Sequence, residues 1–289
     1  MDDEQGVPSF FSCNRMKGEM LMAKDYEELS ITDDFMFGKV MEDKELCREM
    51  LECLLEQPVG KLEEVQTERE LQYTADGKPI RMDVYSRDNE KVYDAEMQNL
   101  NHRRLEELEL SKRSRFYQAM MDADLLRKGN TYRKLPESRV LFLCTFDPFG
   151  EGLAKYTFKN RCEENANLQL KDGTEKIFFN CTCRLEDIPE KLKALYDYIA
   201  TGKAESKLTE KLEEAVERAR RNQKWRSEYM KELLHEEDIK EEALAQGREE
   251  KSRFTAINLY KMAMPTTQIA QAVGESLETV ERWIEETRK

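Results

Sequence analysis

The chain predicts an α/β domain that continues into a long charged helical arm and a C-terminal helical hairpin. Three observations carry this expectation. Residues 80–98, IRMDVYSRDNEKVYDAEMQ, alternate in character on either side of the polar turn Arg87-Asp88-Asn89-Glu90, the pattern of two paired strands. Apolar residues at helical spacing lie before and after this hairpin, and a near-continuous apolar run, Val140-Leu141-Phe142-Leu143-Cys144, follows. Beyond residue 203 the chain is densely charged and nearly free of Gly and Pro, as a solvated helix would be.

Residues 1–28 contain Gly6, Pro8 and Gly18 without a sustained period and read as a flexible tail. The α/β domain is expected over 29–202, the arm over 203–262 and the hairpin over 263–289. Ser30 or Thr32 is the expected N-cap of a first helix, with Asp33 and Asp34 placing negative charge where the helix dipole favours it. Phe37, Val40, Met41, Leu46, Met50, Leu51, Leu54 and Leu55 carry that helix to Glu56, and Pro58 and Gly60 stop it. Val65–Tyr73 reads as a first strand and Ala75–Pro79 as a turn into the hairpin. A helix follows from about Arg103 to Lys128, with Gly129 as its C-terminal stop, and then a buried strand over Ser138–Phe146. The core order is thus helix, three strands, helix, strand.

Ala154–Phe158 and Lys176–Cys181 read as a further hairpin around Asp172-Gly173, and Pro189 to about Ala200 as a short helix ended by Gly202. In the arm, Leu208, Leu212, Ala215, Ala219, Asn222, Arg226, Tyr229 and Leu233 recur at alternating steps of four and three. This diluted coiled-coil seam suits packing on the chain's own domain or on a second copy, so a homo-oligomer is one expected assembly. The last segment, Met264 to Ile284, resembles a helix-turn-helix in its apolar positions Ile269, Ala270, Val273, Val280 and Trp283. Its second helix carries Glu275, Glu278, Glu281, Glu285 and Glu286, the wrong charge for a helix that enters a DNA groove, so packing or protein contact is expected of it.

A net charge of −13 argues against a protein that coats nucleic acid indiscriminately, because phosphate contacts dominate such binding. It leaves room for a site where a metal and local cations override the average. Residues 101–139 are such a locally basic stretch, with ten Lys or Arg against six Asp or Glu; Arg103, Arg104, Lys112, Arg113 and Arg115 are its candidate phosphate contacts. Glu106, Glu107 and Glu109 offer them an alternative role as ordinary helix-face ion pairs. The seven cysteines lack metal-knuckle spacing and read as reduced thiols. No apolar run is long enough to span a bilayer, and the start lacks a signal peptide's basic and apolar segments, so a cytoplasmic protein is expected.

The chemistry-bearing pair is Asp83 and Glu96. Pairing of the two strands around the turn at 87–90 brings both onto one polar face, which Gln98 shares, while Tyr93, Ala95 and Met97 face the other way. Two carboxylates on a stiff scaffold suit Mg²⁺, with Mn²⁺ as a substitute, because such a cation takes oxygen ligands and keeps several waters.

Asp83, twelve intervening residues and then Glu96-Met97-Gln98 resembles the Asp…(Asp/Glu)-x-Lys signature of the PD-(D/E)XK nuclease superfamily. The closer resemblance is to its branch of recombination-promoting nucleases, also named transposases, in which Gln often replaces Lys. Ile31–Phe37 and Arg113-Ser114-Arg115-Phe116-Tyr117 add to it, so that it covers roughly residues 30–200. The resemblance implies a restriction-endonuclease-like core and metal-dependent DNA cleavage in the service of recombination. It implies Asp83, Glu96 and Gln98 as catalytic residues, Asp34 as an additional metal-side acid, and Arg113 and Tyr117 on the DNA-facing helix.

Gln98 departs from the usual Lys: an amide positions water but supplies no positive charge to a phosphoryl transition state. The alternative expectation is a non-catalytic protein of the same fold, acting through its arm and acidic tail. A small-molecule or redox enzyme lacks support, since no Gly-rich phosphate loop, GxSxG, HExxH or CxxC is present.

Overall fold

A computed structural model describes residues 24–74, 76–99, 106–126, 129–183 and 188–287. The elements are α1 (Asp34–Met41), α2 (Lys44–Leu55), β1 (Glu64–Leu71), β2 (Ile80–Arg87), β3 (Lys91–Gln98), α3 (Glu106–Leu125), β4 (Glu137–Cys144), β5 (Lys155–Phe158), β6 (Thr174–Asn180), α4 (Glu190–Thr201), α5 (Lys207–Arg220), α6 (Gln223–Lys261), α7 (Thr266–Val273) and α8 (Leu277–Thr287). Six strands form one mixed sheet in the order β1-β2-β3-β4-β6-β5. The first three pair antiparallel, β3, β4 and β6 run parallel, and β5 closes the far edge antiparallel to β6. The protein is α/β.

Helices cover both faces of the sheet. On one side α1, α2, α4 and α5 bury Phe37, Leu51, Tyr196 and Leu212 against Val84, Ala95, Leu141 and Phe179. On the other side α3 lays Leu110, Tyr117 and Met121 over Met82, Tyr85, Val140 and Phe142. Burial from both sides explains the uninterrupted apolar run in β4, where every residue from Ser138 to Cys144 is buried.

The first helix differs from expectation. Helical spacing runs unbroken from Phe37 to Leu55, yet α1 and α2 part at Asp43, whose Oδ1 accepts from the backbone N–H groups of Glu45 (3.0 Å) and Leu46 (3.2 Å). A short acid that bonds these amides starts a new helix. Nor does Ser30 or Thr32 cap α1; Asp33 holds that position and its carboxylate reaches back to the Ser30 N–H at 2.8 Å. The hairpin β5–β6 is present, but the strands are joined by the whole of 159–173 rather than by a tight turn at Asp172-Gly173.

The seam of the arm packs on the chain's own domain, one of its two expected arrangements, but it is not one continuous helix. Asn222 is an N-cap, accepting from the N–H groups of Lys224 (3.0 Å) and Trp225 (3.3 Å), so the stretch is two helices. Leu212, Ala215, Ala219 and Tyr229 are buried in the chain's own core, which leaves those positions unable to face a second copy. Tyr26, expected in the flexible tail, belongs to that core too. Tyr26 donates to the Ala219 carbonyl (2.7 Å), Tyr229 to the Lys24 carbonyl (2.9 Å), and their rings lie 5.8 Å apart. Residues 1–23 of that tail lie outside the described residues.

The charged arm is the middle of α6, where every residue from Glu237 to Lys251 is exposed. At 39 residues α6 spans roughly 58 Å. Its far end carries a separate small core: Ala256 packs with Ile269, Ala270, Val280, Trp283 and Ile284 of α7 and α8. The terminal hairpin therefore closes on α6 and leaves Glu278, Glu281, Glu285 and Glu286 outward. Among the described residues no helix is long and apolar enough to cross a membrane, and the six described cysteines are free.

Placing α5 in the core has a measurable consequence. Leu212→Ala is expected to lower unfolding stability by about 3 kcal/mol, the usual cost of emptying a buried leucine site. Urea denaturation reads it; a change below about 0.5 kcal/mol, normal for a solvated position, would return α5 to the arm.

Candidate active site

The centre of the sheet departs from regular strand geometry at Asp83. Ile80 and Met82 pack beneath α3, whereas Val84 packs on the opposite face and Tyr85 returns to the α3 side. The two-residue alternation thus slips at residue 83. Across from it on β1, Glu68 lies in the left-handed region at φ 54°, and the ladder skips from Thr67–Val84 to Arg69–Met82. A non-glycine residue in that region stores on the order of 1 kcal/mol of strain, a cost that recurs at functional sites.

The β2–β3 ladder extends from Arg87–Val92 to Val84–Ala95. Beyond it side chains take over the bonding. The Asp83 N–H donates to Glu96 Oε1 at 2.8 Å, and the Met97 N–H donates to Asp83 Oδ2 at 2.9 Å. Each carboxylate stands in for a backbone carbonyl that the diverging strands have withdrawn. The two acids are consequently held together by the main chain. Glu96 is fully buried and Asp83 only 9% exposed, so the pair is less open to solvent than a polar sheet face would be.

Arg113, on α3, supplies the counter-charge. Its guanidinium pairs with Glu96 Oε2 and donates to Gln98 Oε1 at 3.1 Å. It also lies 5.0 Å from the Tyr117 ring centre and 5.7 Å from that of Phe142. Gln98 donates its own amide to the Met97 carbonyl at 2.9 Å. Tyr117 is buried and donates to the Arg81 carbonyl at 3.1 Å, which ties α3 to β2 beside Asp83.

Asp34 approaches from the other direction. A methyl group at Gly38 would stand 3.5 Å from Thr67 Cβ and 3.9 Å from the Asp83 carbonyl, so this face of α1 lies on the sheet at the irregularity. Asp34, four residues earlier, shares that face and is near enough to raise the pKa of Asp83. Asn99 fastens the end of β3 to the same region by donating to the Thr32 carbonyl at 3.1 Å.

The structure thus brings Asp34, Asp83, Glu96, Gln98, Arg113 and Tyr117 to one place. Lys112 is exposed on a neighbouring groove. Arg115 is exposed and does not line that groove, and Arg103 and Arg104 lie outside the described residues.

Asp94 received no role from the sequence, and here it is central. It lies on the same strand face as Glu96, fully buried, and neither of its oxygens meets a hydrogen-bond donor. Its place in the alternation two residues before Glu96 is the signal that pointed to it. Burial, foremost, and the Asp83 charge push its carboxyl up to about 8. Asp83 and Glu96 are raised for the same first reason, burial, with Glu96 and Asp34 acting on the former and Asp94 on the latter. Arg113 pulls Glu96 the other way. The Met97 N–H on Asp83 and the Asp83 N–H on Glu96 likewise favour the charged forms of those two acids, against their burial.

The donor set is entirely oxygen and suits a hard divalent cation. Among the described residues no group of three His, Cys, Asp or Glu side chains is arranged as a metal cage. Mg²⁺ is commonly held by one or two carboxylates together with waters and substrate phosphates, and Asp83 and Glu96 match that smaller requirement.

No protein-family model, curated protein or solved structure matches the chain. What fold and site define is a class, an α/β domain with a buried carboxylate cluster balanced by one arginine at the middle of its sheet.

Two outcomes follow from this geometry. Arg113→Met strands the Glu96 charge and is expected to cost about 3 kcal/mol of stability, near the low end for a buried pair because Arg113 itself is partly open. Most of that loss should return in Glu96→Gln/Arg113→Met, and a double-mutant cycle by urea denaturation measures the difference.

The second concerns pH. Asp94 binds its proton more tightly folded than unfolded, so stability declines as pH rises from the ordinary carboxylate range to about 8. Asp94→Asn should flatten that decline and be the more stable protein at its alkaline end, as read by denaturant midpoints across the window.

Proposed function

We propose that this chain is a metal-dependent endonuclease that hydrolyses phosphodiester bonds in DNA, with a restriction-endonuclease-like core. The observation that carries the reading is the convergence of Asp83 and Glu96 where β2 and β3 part. The resemblance of Asp83…Glu96-Met97-Gln98 to the PD-(D/E)XK signature, in its recombination-promoting branch, supports it.

Asp83 and Glu96 would hold Mg²⁺ or Mn²⁺, with Asp34 on the open side. Such an ion, when bound, lowers the pKa of an attacking water and neutralises charge at the phosphate. The chain's own residues do the rest. Arg113 provides, beside Glu96, the positive charge that Gln98 lacks relative to a lysine. Gln98, with its amide nitrogen on the Met97 carbonyl and its oxygen on Arg113, helps keep that arginine beside Glu96. The Asp83 and Met97 N–H groups hold both acids against rotation, so a substrate meets a prepared geometry.

A second reading, a non-catalytic protein of this fold, draws on the full burial of Glu96 and on the outward glutamates of α8. Titration with Mn²⁺ separates the two: saturable binding lost in Asp83→Ala favours the enzyme.

The direct test is plasmid nicking with Mg²⁺ and with Mn²⁺. Asp83→Ala and Glu96→Ala are each expected to reduce the rate by at least about a thousandfold, a loss comparable to removing an electrostatic catalytic group. Cleavage undiminished in both variants would discard the site.

A further inference from the structure

A groove of about 610 Å³ runs between the start of β2 and α3, beside the carboxylate cluster. Lys78 and Lys112 line it against a single acid, Glu109; Arg81 and Arg113 also line it, the first with its charge among Glu68, Glu232, Asp83 and Asp34 and the second paired with Glu96. In a protein of net charge −13 this is a concentrated reversal of sign. Lys78 and Lys112 are exposed, one on each bank. Partial burial works against the Arg81 charge, but Glu68, Glu232, Asp83 and Asp34 outweigh it and hold the guanidinium in its charged form.

The groove also contains an aromatic surface without a structural task. Phe116 lines it and is 40% exposed, although its neighbours Tyr117 and Met120 on α3 are buried in the core. A helix that sets an open phenyl ring among cations has the two parts that single-stranded nucleic acid requires, a charged track for phosphates and a face on which a base stacks. A duplex cannot use the second part, because its bases are stacked on one another and present only their edges.

We infer that this groove binds an unpaired segment of nucleic acid, with a base stacked on Phe116 and flanking phosphates on Lys78 and Lys112. The inference rests on the endonuclease reading for its purpose, and it specifies the substrate form. Arg81 stands two residues before Asp83 on the same strand, roughly 7 Å away. A strand lying in the groove therefore runs beside the part of β2 that leads to Asp83 and past Arg113, the partner of Glu96. Tyr117 forms the floor, fixed by its bond to the Arg81 carbonyl.

The test is fluorescence anisotropy on the full chain, with labelled oligothymidylate, the same length of RNA and a DNA duplex, in buffer containing chelator so that nothing is cleaved. Wild type should bind the DNA single strand at least about tenfold more tightly than the duplex, the value of one stacked base. Phe116→Ala should remove that preference, and Phe116→Tyr should restore it. The double variant Lys78→Glu/Lys112→Glu should weaken binding and lower the salt dependence by two phosphate contacts' worth, a slope of about 1.4 for a single strand.

Equal affinity for single strand and duplex, or a Phe116→Ala variant indistinguishable from wild type, overturns the inference. RNA bound as tightly as DNA supports the stacking groove and assigns discrimination to another place. The two proposals fail separately. Intact Phe116-dependent binding without metal-dependent nicking removes the nuclease and keeps the groove, and nicking insensitive to Phe116 does the reverse.

Discussion

The reciprocal exchange between Asp83 and Glu96 is the constraint on which the centre of this molecule depends. Each acid takes a backbone N–H that the hairpin no longer bonds through its own carbonyls: Glu96 accepts from Asp83, and Asp83 accepts from Met97. A buried amide without a partner costs roughly 1–3 kcal/mol, so the carboxylates are bound into the sheet by the same need that builds strands. The result joins structure to chemistry. The groups that repair the ladder are the ones the proposed chemistry would use.

Such a repair concentrates negative charge where solvent is scarce. Asp83, Asp94 and Glu96 share one region, and Arg113 is the cation that reaches Glu96. Bringing several carboxylates into a poorly hydrated place is unfavourable unless each is paired or neutral. The protein sets a guanidinium against Glu96, and burial raises the carboxyls of Asp83 and Asp94 toward their neutral forms. The neighbouring elements reinforce this choice. Tyr117 links α3 to β2 through the Arg81 carbonyl, and Asn99 links β3 to the segment before α1. Arg113 on α3 and Asp34 on α1 are thereby fastened to the same irregular point of the sheet.

Much of this architecture was legible in the sequence, and the parts that were not share a cause. Alternation located β2 and β3, and continuous apolarity located β4, because burial on one face or on both writes itself directly into residue type. Periodicity cannot see a cap. Asp43 and Asn222 each sit inside an unbroken helical pattern and each stops it by bonding two amides of the next turn. The same blindness made the stretch from Leu208 to Leu233 look like one continuous seam, when Asn222 divides it into two helices. At the site, motif and spacing singled out Asp83 and Glu96. Asp94 and the Phe116 groove escaped, since a buried acid with no bonded donor and an exposed phenyl ring on a mostly buried helix face are facts of tertiary packing.

The charge of the whole chain bears on how such a site would meet its substrate. A surface at −13 repels a polyanion at long range, and at physiological salt that repulsion fades beyond roughly 8 Å. Lys78, Arg81, Lys112 and Arg113 act within that distance, and the recessed groove concentrates their field. Nucleic acid would therefore gain nothing from most of this protein and something from one place. The long α6, exposed over Glu237–Lys251 and ending in a glutamate-faced hairpin, adds to the repulsion rather than to the binding. In the proposed nuclease this would be a means of restraint: a chain with little general attraction for DNA would act where a strand fits the groove near its carboxylates.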